Sequence, residues 1–104
     1  MERYCFTFRL RPGMEDEYRR RHDEIWPELV EALRDAGVRN YTLFRRERQV
    51  IAYCECHPDA ATAFGKVGAT EVNRRWSAYF EDTIEALADD EGNLFVADEV
   101  WHLD

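Results

Sequence analysis

Tyr18, His22 and Trp26 follow one another at intervals of four residues. On a helix that interval stacks side chains one above the next along a single face. A histidine in such a row can give or take a proton near neutral pH. Burial would push it toward its neutral form, and general acid/base catalysis asks for a pKa close to the operating pH. Tyr18 adds a hydroxyl to the same face, and Trp26 an aromatic wall. The chemistry open to this row is proton transfer on a small polar molecule that also has an apolar side. A histidine on an apolar helical face is more often packed for structure than used in catalysis, so spacing alone leaves both roles open.

The wider composition narrows the ligand. Aromatic residues make up 13% of the 104, including Trp26, Trp76 and Trp101 and five tyrosines. Such rings join a broad apolar face to a hydrogen-bonding edge. Sugars present the matching pair of features, a CH-lined face and a rim of hydroxyls. Core packing must still account for most of these rings. The net charge of −8 disfavours nucleic acid and anionic membrane surfaces as partners.

Other chemistries have weak support. Cys54-Glu55-Cys56-His57 could be read as a metal cluster, but its cysteines are two apart on an expected strand and no second Cys/His pair exists. That is not the spacing of a closed zinc site, and no metal is expected. There is no phosphate-cradling glycine loop or dinucleotide fingerprint, and no Ser or Cys in a nucleophile motif. Three cysteines, an odd number, are expected to be reduced and partly buried. No run approaches the roughly 20 apolar residues of a membrane span. The N-terminal run reads at once as a strand, with no charged-then-apolar leader, so a cytoplasmic location is the expectation.

The elements that would carry these residues follow from periodicity. From Arg3 to Arg11, Tyr4, Phe6, Phe8 and Leu10 share one face of an alternating strand. Pro12-Gly13 marks a turn. Met14, Tyr18, His22, Ile25, Leu29, Leu33 and Ala36 then form one helical stripe, with Gly37 as its stop. Pro27 interrupts that stripe: either the helix kinks near Asp23, or a second helix begins with Pro27 in its first turn. Arg39 to Arg46 and Gln49 to Cys56 read as a hairpin turning at Glu47-Arg48, with Tyr41 and Leu43 on one face. Pro58-Asp59 opens a short helix through Phe64. Thr70 is expected to cap another, whose stripe is Val72, Trp76, Tyr79, Phe80, Thr83, Ile84 and Leu87. Phe95 to Leu103 reads as a closing strand. The order is that of a ferredoxin-like βαββαβ fold, an α+β domain over residues 1–104 with helices on one face of a four-stranded antiparallel sheet. Several strands are apolar on both faces, so pairing of two sheets in a homodimer is expected.

The run Tyr18-Arg19-Arg20-Arg21-His22-Asp23-Glu24-Ile25-Trp26-Pro27-Glu28-Leu29 resembles the L-rhamnose mutarotase family. Gly37-Val38-Arg39-Asn40-Tyr41 and Arg75-Trp76 are similar to two further segments of that family, in register with the first. The resemblance implies a dimeric α/β barrel of two ferredoxin-like subunits. It implies an enzyme that interconverts the α and β anomers of a deoxyhexose without a cofactor. It assigns the proton donor to His22 and sugar binding to Tyr18, Tyr41 and Trp76, with Trp26 as a possible pocket wall. The family often has a second tryptophan directly after the one matching Trp76; here the substrate-binding position holds Ser77. That leaves rhamnose, fucose and other sugars open. Another cofactor-free enzyme, or a sugar-binding module, could use the same fold.

Overall fold

The first strand is the hub of the structure. The computed structural model describes residues 1–104. Strand β1 (Glu2–Leu10) pairs over all but its last residue with β3 (Gln49–Cys56), from Glu2 opposite Cys56 to Arg9 opposite Gln49. On the outer side of β3 lies β2 (Val38–Arg46), its hairpin partner. The free edge of β1 takes two short antiparallel strands in succession, β4 (Ile84–Ala86) and β5 (Phe95–Ala97). The sheet therefore has five strands in the order β2-β3-β1-β4, with β5 also on β1. This is the expected ferredoxin-like arrangement with its fourth strand divided in two.

The division corrects two expectations. The helical stripe does not run to Leu87, because the helix ends at Tyr79. Thr83 is fully buried, and its hydroxyl donates to the Phe80 carbonyl at 2.8 Å. The Arg11 amide donates to the Thr83 carbonyl at 2.8 Å and draws the chain onto the edge of β1. A turn followed by a strand here reproduces a helical spacing of apolar residues. The closing strand ends at Ala97 rather than Leu103. Between β4 and β5 the chain leaves the sheet in a small excursion, closed by the Ala88–Leu94 bridge. At its tip the Asp89 carboxylate accepts from the amides of Glu91 and Asn93, at 2.9 and 3.0 Å.

All four helices cover one face. Helix α1 (Glu15–Asp23) begins with Glu15, Asp16 and Glu17 and ends with Arg20, Arg21 and His22, the charge order that suits a helix dipole. Helix α2 (Pro27–Ala36) starts with Pro27 in its first turn. Of the two outcomes open at Pro27, the second helix is the one realised. Trp26 is held extended just before it. Helix α3 (Ala60–Gly68) is capped by Asp59 and runs four residues beyond Phe64. Helix α4 (Glu71–Tyr79) is capped by Thr70, as its sequence predicts.

Beneath them lie Phe6, Phe8, Leu10, Val50 and Ala52 with Tyr18 and Phe80; a second cluster joins Val38, Cys54, Cys56, Ala63 and Val67. The three cysteines are free thiols, and Cys54 and Cys56 are wholly buried. On the opposite sheet face Ile51 and Tyr53 are half-buried, while Phe44 and Phe95 are largely exposed.

Gly37 ends α2 in the left-handed region, at φ 103°. A Cβ at this position would run into the backbone carbonyl of His57. Gly37→Ala is therefore expected to lower stability by about 2 kcal/mol or more, read from the urea midpoint. An unchanged midpoint would show that this junction relaxes freely.

Candidate active site

A cavity of about 620 Å³ opens between α1, α2, α4 and the helix-covered face of the sheet. Sixteen of its 22 lining residues are hydrophobic, so the polar minority sets its chemistry. Tyr18, His22, Tyr41, Trp76 and Ser77 all line it.

His22 stands in the last turn of α1, one residue before its end. Its Nδ1 lies 2.9 Å from the Tyr18 carbonyl oxygen. A carbonyl only accepts, so Nδ1 carries the hydrogen and Nε2 is left free for a ligand. The imidazole lies against aromatic rings: Tyr18 at 4.4 Å, Phe80 at 5.1 Å and Trp76, edge to face, at 5.5 Å between centroids. Desolvation by these rings lowers the His22 pKa below its usual value, against the opposing effects of the Tyr18 carbonyl and Asp23. At neutral pH the ring is neutral and Nε2 is a base.

The two tyrosines arrive from different elements. Tyr18 is buried, with its ring edge-on to Phe8 and Phe80. Tyr41 reaches the cavity through a bulge in β2. Arg39 pairs with Glu55 and Thr42 with Tyr53, so Asn40 and Tyr41 together face the single residue Cys54. Asn40 takes the left-handed conformation this requires, at φ 49°, and its amide donates to Glu55 at 2.8 Å. Desolvation raises both phenol pKa values, so both hydroxyls remain protonated and can donate.

Trp76 packs on His22, Phe80 and Trp26. Trp26 itself does not line the cavity. It occupies the position just before α2, stacks on Tyr79 at 5.7 Å and meets the edge of Trp76 at 4.9 Å, supporting that ring from behind. Ser77 sits at the exposed mouth. No group of three or more His, Cys, Asp or Glu side chains is placed to hold a metal ion. In the Cys54–His57 run the two thiols face the core together, 3.6 Å apart, while Glu55 bonds Asn40 and Tyr53 instead.

Sequence reasoning assigned no part to Arg21. Its side chain is only 8% exposed. Nε donates to Glu17 at 2.8 Å, Nη1 to the Tyr79 carbonyl at 2.6 Å, and Nη1 and Nη2 to Asp82 at 2.9 and 3.1 Å. The guanidinium also lies over the Tyr79 ring, 4.3 Å from its centroid. Arg21 thus joins α1 to the end of α4 beside His22. Its signal in the sequence was the i,i+4 spacing from Glu17 at a position flanking the apolar stripe.

The chain thus sets one desolvated histidine in an aromatic cavity on a ferredoxin-like sheet. The fold alone is shared with tetracenomycin F2 cyclase from Streptomyces glaucescens, at TM-score 0.69 and 17% identity over all of this chain and 98% of that one. The particular match is closer. The family model for L-rhamnose mutarotase matches residues 3–103, and the chain belongs to that family. It is 38% identical to an L-rhamnose mutarotase of Burkholderia orbicola, covering the full length of both. It is 37% identical to one of Sinorhizobium fredii, over 99% of each chain. An L-rhamnose mutarotase of known structure from Formosa agariphila superposes over the full length of both chains, at TM-score 0.80 and 25% identity.

The Arg21 contacts predict an acid response. Hydrogen bonds from Arg20 and then Arg21 hold Glu17 down to about 2, and the Arg21 bond lowers Asp82. Both folded-state values lie below the unfolded ones, so this stabilisation is present above about pH 4.5 and lost as pH falls toward 2. Arg21→Met should lower stability by about 2 kcal/mol at pH 7 and flatten the acid-side decline. Urea midpoints measured from pH 7 to pH 2 on both proteins test this; parallel curves would contradict it.

Proposed function

We propose that this protein interconverts the α and β anomers of L-rhamnose, with His22 carrying the proton and Tyr18, Tyr41, Trp76 and Ser77 binding the sugar. The observation that carries the reading is the free Nε2 of His22, its tautomer set by the Tyr18 carbonyl, in an aromatic cavity.

Mutarotation opens and recloses the pyranose ring. Nε2 of neutral His22 takes the proton of the anomeric hydroxyl as the carbonyl forms at C1. The bond between C1 and the ring oxygen breaks, and its electron pair stays on that oxygen. The imidazolium then acts as the acid and delivers its proton to the ring oxygen. The open aldehyde turns about the C1–C2 bond and recloses on its other face by the reverse transfers. Nothing is oxidised or reduced, so the reaction calls for no cofactor. Tyr18 and Tyr41, neutral phenols at this pH, donate to sugar hydroxyls, and Trp76 covers the apolar face of the ring.

The same reading takes the protein as a cytoplasmic homodimer with no nucleic-acid or membrane partner. Support for the dimer is the sheet face away from the helices, where Phe44 and Phe95 are 59% and 43% exposed. The chain after β5 adds Val100, Trp101 and Leu103, all more than 70% exposed. The net charge of −8 speaks against polyanionic partners, and no helix is long and apolar enough to cross a membrane.

Anomer exchange of L-rhamnose, followed by NMR, is the direct test. His22→Ala should lose about 10²–10⁴-fold in kcat while keeping its circular dichroism spectrum; an unchanged rate would remove His22 from the mechanism. The rate should rise with pH through a pKa below the usual histidine value of 6.5 and stay level at neutral pH. A rate that falls through that region would mean that His22 must start protonated. Sedimentation at twice the chain mass is expected, and a monomer at micromolar concentration would refute the dimer.

A further inference from the structure

Asn73 lines the same cavity and has no part in the reaction above. It precedes Ser77 by four residues on α4, so the two side chains are neighbours on one helical face. They flank Trp76, the ring packed edge to face on His22. The backbone amide of Asn73 is taken by the Thr70 hydroxyl at 3.3 Å. Its carboxamide and the Ser77 hydroxyl make no hydrogen bond within the chain. In a cavity where 16 of 22 lining residues are hydrophobic, one wall therefore offers an amide and a hydroxyl, both able to donate and accept.

The chemistry of the sugar says what that wall can meet. When His22 serves the ring oxygen, the two carbons bonded to that oxygen must lie beside it. One is C1. The other is C5, which bears C6. In a 6-deoxyhexose C6 is a methyl group, which can neither donate nor accept a hydrogen bond. A C6 hydroxyl can do both. We propose that Asn73 and Ser77 form a polar subsite for the C6 substituent, and that the protein also anomerises aldohexoses that carry a C6 hydroxyl. The inference rests on the mutarotase reading of His22.

The subsite tolerates rather than selects. Ser77 is exposed and Asn73 half-buried, so with L-rhamnose Ser77 meets the sugar only through van der Waals contact with the C6 methyl, and water serves both polar groups. A dry polar site would reject the methyl sugar strongly; a wet one discriminates weakly. L-Mannose is the sharpest probe, because it differs from L-rhamnose only in the C6 hydroxyl. For the wild-type protein, kcat/KM for anomer exchange of the two sugars should agree within about tenfold. Asn73→Leu should lower the L-mannose to L-rhamnose ratio by about tenfold, and Ser77→Ala should lower it in the same direction.

The outcomes separate cleanly. Acceleration of L-rhamnose without L-mannose overturns the subsite and leaves the mutarotase reading standing. A ratio unchanged in both variants also overturns it, since the pair would then serve hydroxyls common to both sugars. Acceleration of neither sugar removes the mutarotase reading and the subsite with it.

Discussion

The guanidinium of Arg21 ties the helix that carries His22 to the end of α4, whose rings pack on it. A cation with so little exposure must be fully partnered, since an unpaired buried charge is costly. Here two carboxylates and a helix-terminal carbonyl surround it. The Tyr79 carbonyl would otherwise be one of the unsatisfied groups at the end of α4. The consequence is local. With α4 drawn against α1, Trp76 and Phe80 pack on the His22 ring and partly desolvate it. The proton affinity of His22 is thus a product of helix packing, and helix packing here depends on one ion-paired arginine.

Strand β1 supplies the fixed reference for the rest of the site. It carries Phe6 and Phe8 to the cavity floor and pairs with three other strands. The bulge at Asn40 and Tyr41 works against that regular frame. In an unbroken ladder, register alone would place every β2 side chain. The extra residue puts Tyr41 into the cavity beside the tyrosine from α1. The irregularity lets Tyr41 and Leu43 face the cavity while Val38, on the far side of the bulge, still packs into the core.

Much of this was legible in the sequence, for identifiable reasons. The alternation of Tyr4, Phe6, Phe8 and Leu10 and of Val50, Ala52, Cys54 and Cys56 reflects one-sided burial, which has no helical equivalent. Thr70 and Gly37 announced helix ends because their roles are set by local backbone chemistry. The failures also have physical causes. Thr83, Ile84 and Leu87 continue a helical spacing that tertiary pairing with β1 overrides. Trp26 keeps the interval of Tyr18 and His22, but the backbone break before Pro27 turns it behind Trp76. Arg21 was passed over because charged residues on a short helix usually face water, and only the fold shows which one does not. Of the candidate site, the sequence located His22, Tyr18, Tyr41, Trp76 and Ser77 near one another; it could not reveal which imidazole nitrogen is free.

The excursion between β4 and β5 bears on how such a site can diversify. It leaves and rejoins the edge of β1 within a few residues, closed by the Ala88–Leu94 bridge and tipped by the Asp89 turn. Only Leu87 and Leu94, at its base, line the cavity. Residues added or lost at its tip would leave the register of both flanking strands intact, since each is set by its own pairing with β1. His22 belongs to a different part of the chain, on α1. The rim of the cavity can therefore change length while the helix that carries His22 keeps its place, which makes the divided edge strand a graft point for new loop sequence in an otherwise tightly paired small domain.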